Sequence, residues 1–293
     1  MSRPSGTGFA LGQRDFLIPE ECDDASSWIR DVVAKEVVAT LEGNRNAPFR
    51  RSRHATTWKL KLVDAAGAPA NVFLKQLDPT RGIVAKMKAI ARARGAEHVL
   101  QISASLRHDR LGVPRVLLIG ADRASGAEVL VMSAAPGHML TRWMNPAHHC
   151  DLRLRRRILH RLGDEIARLH SAGYIHGDLT PYNVFASSDY QIAITFIDHE
   201  SSQKLSRMSI NSTRNKMRNL MQLGHFDLPG VSRTDKMRVF ANYAAAMEWS
   251  RGDRRKALNR LLKMIARRRS RDHARRHRAA QPAIIGEHGV ARG

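Results

Sequence analysis

The chain has 293 residues, 43% of them apolar, which is enough to bury a substantial core and excludes a disordered composition. Its 49 Lys and Arg residues against 27 Asp and Glu give a net charge of +22, which predicts attraction to polyanions such as nucleic acid, an anionic membrane face or a phosphorylated or carboxylated substrate. No apolar run is long enough for a signal peptide or a membrane span, so we expect a cytoplasmic protein and leave open peripheral contact with the inner face of the membrane.

The first part of the chain predicts a leader, a helix and a hairpin. Residues 1–22 are expected to form a flexible leader. Apolar residues recur at every fourth position over residues 23–41, which predicts a helix. Over residues 49–77, two segments of alternating apolar and polar residues flank the turn DAAGAP, so an antiparallel hairpin is predicted there.

The next part of the chain predicts a helical region and two more strands. Residues 80–108 have a helical composition with a break near Gly95. Strands are predicted at Arg115–Ile119 and Glu128–Met132. Pro136-Gly137 then breaks the chain, and we expect a boundary between two lobes there.

The remaining part is mostly helical by pattern. An apolar stripe predicts a long amphipathic helix that ends near Gly173. A hairpin is predicted around the turn Ser187-Ser188-Asp189, and later helices over residues 234–249 and 253–269. Residues 270–293 are basic and poor in apolar residues, which predicts a disordered tail.

This order of elements predicts a two-lobed α+β fold. Residues 23–133 are expected to form an N-terminal lobe with an antiparallel sheet and one helix. Residues 134–269 are expected to form a mainly helical C-terminal lobe.

The strongest chemical signal is the segment HGDLTPYN, which contains Asp178 and, five positions later, Asn183; Asp198 ends the second strand of the following hairpin. Phosphoryl transfer needs a carboxylate that orients the acceptor hydroxyl and takes its proton, and oxygen ligands for a Mg²⁺ ion that bridges the phosphates. The pattern therefore predicts Asp178 as a catalytic residue and Asn183 and Asp198 as Mg²⁺ ligands of an ATP-dependent kinase. The alternative is a buried turn with a capping aspartate.

Lys75 gives a second signal, because it closes the apolar strand VFLK about 100 residues before Asp178. This position suits a lysine that contacts the α- and β-phosphates of a nucleotide. Glu97 is the only glutamate between Lys75 and the turn at residues 124–126. We therefore expect a Lys75–Glu97 ion pair that holds the lysine toward ATP, against the alternative of two unrelated surface charges.

The segment VLVMSAAPG gives a third signal. An apolar strand that runs into a linker of small residues can offer backbone N–H and C=O groups to adenine. On this interpretation Met132 lines the back of the pocket and Ser133 to Ala135 form the hinge between the lobes. The N-terminal lobe would then bind the nucleotide and the C-terminal lobe would supply catalysis.

These signals occur in the order expected of the protein-kinase-like superfamily. Over residues 49–250 the chain most resembles the bacterial lipopolysaccharide (Kdo and core-heptose) kinase family. The resemblance is carried by RRSRHATTWKL, VFLK, a glutamate before LGVP, VLVMSAAPG, HGDLTPYNVF, ITFIDHE and RNLMQL. It implies ATP- and Mg²⁺-dependent phosphorylation of a sugar hydroxyl on an inner-core lipopolysaccharide precursor at the cytoplasmic membrane face, with Asp178 as the base.

The chain also departs from protein kinases. It has no G-x-G-x-x-G loop, Asp198 is followed by His199-Glu200 instead of Phe-Gly, and no A-P-E segment is present. These departures favour a small-molecule kinase over a Ser/Thr protein kinase and leave open how the ATP phosphates are covered.

Three alternatives stay open at this point. One is an atypical Ser/Thr protein kinase. Another is an aminoglycoside- or choline-type phosphotransferase, whose cationic substrates suit a protein of charge +22 poorly. The last is a kinase-shaped binding module without turnover.

The arginine-rich segment 251–278 also has three interpretations. It could be a solvated helix face, a patch for anionic lipid or substrate phosphate, or a nucleic-acid contact. The last is disfavoured because no aromatic residue that could stack on a base follows Trp249.

Overall fold

The computed structural model describes residues 5–43, 46–52, 55–77, 95–148, 151–188, 191–205 and 212–280. The N-terminal region contains seven strands, in chain order β1 (Gly6–Leu11), β2 (Arg14–Pro19), β3 (Arg50–Arg51), β4 (Ala55–Val63), β5 (Pro69–Leu77), β6 (Val116–Asp122) and β7 (Glu128–Ser133). They form one antiparallel sheet in the spatial order β1-β2-β6-β7-β5-β4-β3. The alternation of apolar and polar residues explains strand β4, since Trp58 and Leu60 are buried while Lys59 and Lys61, which alternate with them, are exposed.

Helices cover both faces of this sheet. On one face, α1 (Ser26–Trp28) continues through a π-helical turn at Ile29–Val33 into α2 (Ala34–Leu41), whose buried side chains pack against Trp58, Leu60 and Leu74. On the other face, α3 (Ala96–His108) packs Val99 and Leu100 against β6 and β7. The sheet therefore lies between two apolar layers, as a fold with a single buried sheet requires.

Residues 1–22 were predicted to be a flexible leader, which is wrong for the described residues 5–22, because β1 and β2 belong to the sheet. Strand β2 pairs with β1 on one side and with β6 on the other. Phe16, Ile18 and Cys22 are buried in the core that joins the sheet to α1 and α2. Burial of these side chains fixes the segment in place.

The C-terminal region is mainly helical. Its helices are α4 (Leu140–Trp143), α5 (Leu152–Ser171), α6 (Ser212–Gly224), α7 (Arg233–Ala246) and α8 (Arg251–Ala280). Short strands complete it: β8 (His138–Met139), β9 (Tyr174–Ile175), β10 (Val184–Ser187), β11 (Ala193–Phe196) and β12 (Gln203–Lys204). The predicted stripe on α5 is buried at Ile158, Leu162, Ile166 and Leu169, and a second core forms around it.

The structure also tests the other predicted elements. The hairpin of residues 49–77 is present as β4 and β5, and the strands at 115–119 and 128–132 are present as β6 and β7. The predicted helical region 80–108 is helical from Ala96, whereas residues 78–94 lie outside the described part of the chain. The disordered tail was predicted too early, because α8 continues to Ala280; residues 281–293 lie outside the described residues.

The antiparallel sheet in the N-terminal region and the helices in the C-terminal region confirm the predicted α+β class and are consistent with a protein-kinase-like fold. Within the described ranges, every helix is too short or too polar to span a bilayer. The two regions meet where Lys75 of β5 contacts Asp198, just after β11, and where His98 Nε2 of α3 lies 2.9 Å from the Ser202 carbonyl oxygen.

Candidate active site

The loop that contains Asp178 follows α5 and β9. Gly177 has a φ of +79°, and a Cβ there would lie 2.2 Å from the Ser201 carbonyl oxygen, so only glycine fits this turn without strain. The side-chain amide of Asn183 donates to the Asp178 carbonyl oxygen at 2.9 Å and to Asp178 Oδ2 at 3.1 Å. These two hydrogen bonds close the loop between Asp178 and Asn183 and hold the Asp178 carboxylate in place.

Strands β10 and β11 bring Asp198 back to this loop. Val184 pairs with Phe196, and the Ile197 N–H donates to the Asn183 carbonyl oxygen at 3.0 Å. Asp198 itself has φ 66° and ψ 59°, the left-handed conformation that non-glycine residues rarely adopt. Such strain is typical of functional sites, where surrounding contacts hold a residue in an unfavourable conformation.

Lys75, near the end of strand β5, reaches across to Asp198. Its Nζ lies 3.0 Å from Asp198 Oδ1 and also contacts Glu200 Oε1. Burial disfavours the charged lysine, but the two carboxylates outweigh it and raise the pKa of Lys75. Likewise, burial would raise the pKa of Asp198, yet Lys75 holds that pKa below its ordinary value. Both groups are therefore charged at neutral pH.

The predicted ion pair between Lys75 and Glu97 is not formed in the described structure. Glu97 lies on the exposed side of α3, where its Oε1 accepts a hydrogen bond from Gln101 Nε2 at 3.1 Å. Glu200, two residues after Asp198, contacts Lys75 instead. The prediction of Glu97 as the partner of Lys75 was wrong, because the partner is decided by how the two regions pack and not by spacing along the chain.

Asp178 is exposed as a residue, but its carboxyl is partly shielded from water and lies close enough to Asp198 to feel its charge. Loss of surrounding water and the negative charge of Asp198 raise its pKa, while the hydrogen bond from Asn183 and the charges of Arg218 and Arg268 oppose the shift. A raised carboxyl pKa is what a proton acceptor needs, because a more basic carboxylate takes a hydroxyl proton more readily.

Two buried histidines, His176 and His199, support the loop that contains Asp178. His176 Nε2 lies 2.9 Å from the Ile197 carbonyl oxygen, and His199 Nε2 lies 2.9 Å from that of Phe196. Burial lowers the pKa of His176 to about 4 and that of His199 to about 3, so both rings are neutral at neutral pH. His176 therefore braces the loop that carries Asp178, as expected of a positioning residue.

Helix α6 contributes two further supports that the sequence did not single out for a role. Asn219 Oδ1 accepts from the His176 N–H at 3.0 Å, and Gln222 Nε2 donates to the Gly177 carbonyl oxygen at 2.6 Å. Asn219 Nδ2 in turn donates to Gln222 Oε1 at 3.0 Å. The available signal was an Asn and a Gln three positions apart, which on a helix point in the same direction.

The predicted adenine hinge follows β7. The Ser133 N–H donates to the Arg115 carbonyl oxygen at 2.9 Å, and Ser133 Oγ accepts from the Arg115 N–H at 3.0 Å. Met132 packs at the edge of the α3 core, and Ala135 is half-buried beyond the strand. The linker is therefore anchored at its start, where a kinase-like fold joins its two parts.

The side chains around Asp198 suit a hard cation. Carboxylate and amide oxygens are the protein ligands that Mg²⁺ takes alongside phosphate oxygens. The Asn183 amide nitrogen is engaged by Asp178, which leaves its oxygen as the atom for a cation. In the described part of the chain, no three His, Cys, Asp or Glu side chains cluster as a complete metal site, so a cation here would also need ligands from a nucleotide or water.

A family model described as the lipopolysaccharide kinase (Kdo/WaaP) family matches residues 88–243, more than half of the chain, including Asp178, Asn183, Asp198 and α6. No curated protein matches the chain.

Proposed function

Since the chain belongs to the lipopolysaccharide kinase (Kdo/WaaP) family, we propose that it is an ATP-dependent kinase that phosphorylates a sugar hydroxyl of a lipopolysaccharide core precursor or a similar anionic glycolipid. Membership of this family supports phosphotransferase activity in general. We infer in addition that ATP is the phosphate donor and that the acceptor group is an alcohol.

The observation that carries the proposal is the meeting of Lys75, Asp198 and the Asp178–Asn183 loop at one junction. Lys75 comes from the sheet and Asp198 from the end of a hairpin, yet their charged atoms lie 3.0 Å apart. Asp178 lies close enough for the charge of Asp198 to raise its pKa. A lysine, a strained aspartate and an aspartate–asparagine loop are the parts that phosphoryl transfer uses.

Each residue has a distinct role in the proposed reaction. Lys75 would turn from Asp198 to the α- and β-phosphates while keeping its contact with Glu200, and Ser133 to Ala135 would hold adenine with Met132 behind it. Asn183 and Asp198 would hold Mg²⁺, which when bound neutralises charge on the phosphates. Asp178 would take the proton of the acceptor hydroxyl while the acceptor oxygen bonds to the γ-phosphorus and the bond to the bridging oxygen of ADP breaks.

Glu200 takes the place that the sequence assigned to Glu97 in this proposal. Because it contacts Lys75 directly, it would hold the lysine toward the cleft both before and while the nucleotide is bound. Glu97, which is exposed and bonded to Gln101, would have no part in nucleotide binding.

The net charge of +22 supports an anionic acceptor and peripheral contact with an anionic membrane. A neutral or cationic acceptor would not be attracted to the protein by this positive charge.

The test is turnover of ATP by the purified full chain with lipopolysaccharide precursors. We expect phosphorylated product from wild type, and a loss in kcat of about 10²–10⁴-fold for Asp178→Asn with ATP binding retained. Asp31→Asn, a matched change at an exposed position on the sheet-covering helix, should leave turnover unchanged. Absence of both turnover and ATP binding in wild type would refute the proposal.

A further inference from the structure

Helix α3 contacts the segment after Asp198 through His98. The Nε2 atom of His98 lies 2.9 Å from the Ser202 carbonyl oxygen, and a carbonyl oxygen only accepts, so Nε2 carries the hydrogen. The other ring nitrogen, Nδ1, is buried and has no hydrogen-bond partner among the described residues. Within that part of the chain, the His98 ring therefore makes its one hydrogen bond to Ser202.

Ser202 fixes the turn that carries Glu200. Its N–H donates to the His199 carbonyl oxygen at 3.0 Å and closes the turn His199–Ser201. Its hydroxyl donates to the His176 carbonyl oxygen at 2.9 Å. Ser202 is buried, so its N–H, hydroxyl and carbonyl groups all depend on protein partners. The position of Glu200 therefore depends on the bonds that Ser202 makes.

Helix α3 is itself fixed to the sheet that carries Lys75. The N–H of Ala96, the first residue of α3, donates to Glu128 Oε2 at 2.7 Å. Glu128 begins β7, and β7 pairs directly with β5. A closed ring of contacts therefore runs from β5 through β7 and α3 to Ser202, and returns from Glu200 to Lys75.

We propose that His98 is a positioning residue that keeps Glu200 at Lys75. Helix α3 then acts on the nucleotide lysine through the turn after Asp198, since its one carboxylate, Glu97, is exposed and bonded elsewhere. This inference rests on the proposed function, because it concerns the support of the lysine that would bind the nucleotide. It does not require His98 to touch ATP or the acceptor.

The loss of the His98 donor has a direct consequence for the cleft. The buried carbonyl of Ser202 would have no partner, which is unfavourable, so the turn would shift until this oxygen meets water or another donor. Displacement of Glu200 would leave Lys75 paired with Asp198 alone. Because Asp198 is a Mg²⁺ ligand in the proposed reaction, the lysine would then compete with the cation for this carboxylate, and ATP affinity should fall.

The test compares full-length wild type with His98→Leu and His98→Gln. Leucine removes the hydrogen-bond donor and keeps a side chain of similar size, whereas the glutamine amide can still donate to the Ser202 carbonyl oxygen. The matched control is His108→Leu, because His108 is exposed at the end of the same helix. Thermal melting verifies that each variant folds.

We expect His98→Leu to lower kcat/KM for ATP about 3- to 10-fold, through weaker ATP binding in calorimetry, while KM for the acceptor stays within about twofold of wild type. His98→Gln should stay within about twofold of wild type, and His108→Leu should match it. An unimpaired His98→Leu enzyme, or a His98→Gln enzyme as impaired as His98→Leu, would overturn the proposal.

Combination with Glu200→Gln separates positioning from a general loss of stability. If His98 acts through Glu200, His98→Leu should change kcat/KM for ATP by less than about twofold in the Glu200→Gln background. A fall of the same size in both backgrounds would show that His98 acts independently of Glu200, and its positioning role would be refuted.

Amide hydrogen exchange of the protein without nucleotide tests the same link without turnover. Backbone amides of residues 199–202 should exchange at least about threefold faster in His98→Leu than in wild type, and at the wild-type rate in His108→Leu. Unchanged exchange in His98→Leu would overturn the inference even in an active enzyme. If wild type neither binds nor turns over ATP, the kinase proposal fails, while faster exchange in His98→Leu would still show that His98 holds the turn.

Discussion

Replacement of Glu200 by Gln tests which glutamate holds the nucleotide lysine. The Lys75 side chain is only 16% exposed, so the loss of one of its two carboxylate partners removes a charge-assisted contact in a partly desolvated place. Such contacts contribute about 1.5–3 kcal/mol. Because Glu200 is 33% exposed, solvent screens part of this, and we expect a loss of about 1–2 kcal/mol. That corresponds to roughly a 5- to 30-fold fall in kcat/KM for ATP.

Glu97→Gln is the matched control, because it makes the same chemical change at the glutamate that the sequence favoured. Glu97 is exposed and contacts Gln101 one turn away, an interaction that contributes about 0.2–0.5 kcal/mol. We expect no more than about a twofold change in kcat/KM for ATP. The assay is initial-rate kinetics at saturating acceptor, with thermal melting to verify folding. A Glu97→Gln enzyme as impaired as Glu200→Gln, or an unimpaired Glu200→Gln enzyme, would contradict the assignment.

Three further outcomes can be measured. Because the base must be ionised to act, the raised pKa of Asp178 should place the acid limb of the pH profile of kcat/KM above the ordinary range of an aspartate carboxyl. Arg218→Gln should move this limb higher, since it removes a charge that lowers the pKa of Asp178, and an unmoved limb would argue against Asp178 as the base. Three histidines are buried with lowered pKa values, so they are neutral when folded but protonated when unfolded below about 6.5. These histidines are His170, His176 and His199. The free energy of unfolding in urea should therefore be unaffected by them above pH 6.5 and should fall below pH 6.5 by about 1.4 kcal/mol per pH unit for each histidine. A flat profile would refute this. Gly177→Ala should lower the free energy of unfolding by about 2 kcal/mol or more and remove most of the activity, because a Cβ there would clash with Ser201. Gly126 also has a positive φ but lies in open space, so Gly126→Ala should lower the free energy of unfolding by only about 1 kcal/mol. Equal losses would show that the contact with Ser201 is unimportant.

Local parts of the site could be predicted from the sequence because their geometry is set over a few residues. Asp178 and Asn183 lie five positions apart in one loop, and a single hairpin returns the chain to Asp198. The alternation of Trp58 and Leu60 likewise predicted a strand, because the period of two is a property of the backbone itself.

Pairings between distant segments could not be predicted in the same way. Lys75 and Asp198 are 123 positions apart, and nothing in the local pattern decides whether Glu97 or Glu200 also reaches the lysine. The supports from Asn219 and Gln222 depend on how α6 packs against the loop. Composition also misjudged the end of α8, because arginine is a good helix former and low apolar content does not by itself prevent a helix.

The position of β2 within the sheet has a practical consequence for anyone who trims the protein for expression. Without residues 1–22, β6 would lose one of its two partner strands and present a row of unpaired backbone N–H and C=O groups along the sheet's edge. The apolar surface that Phe16 and Ile18 cover would be bared at the same time. A shortened chain should therefore self-associate through this edge and precipitate, even though every residue around Asp178 is still present.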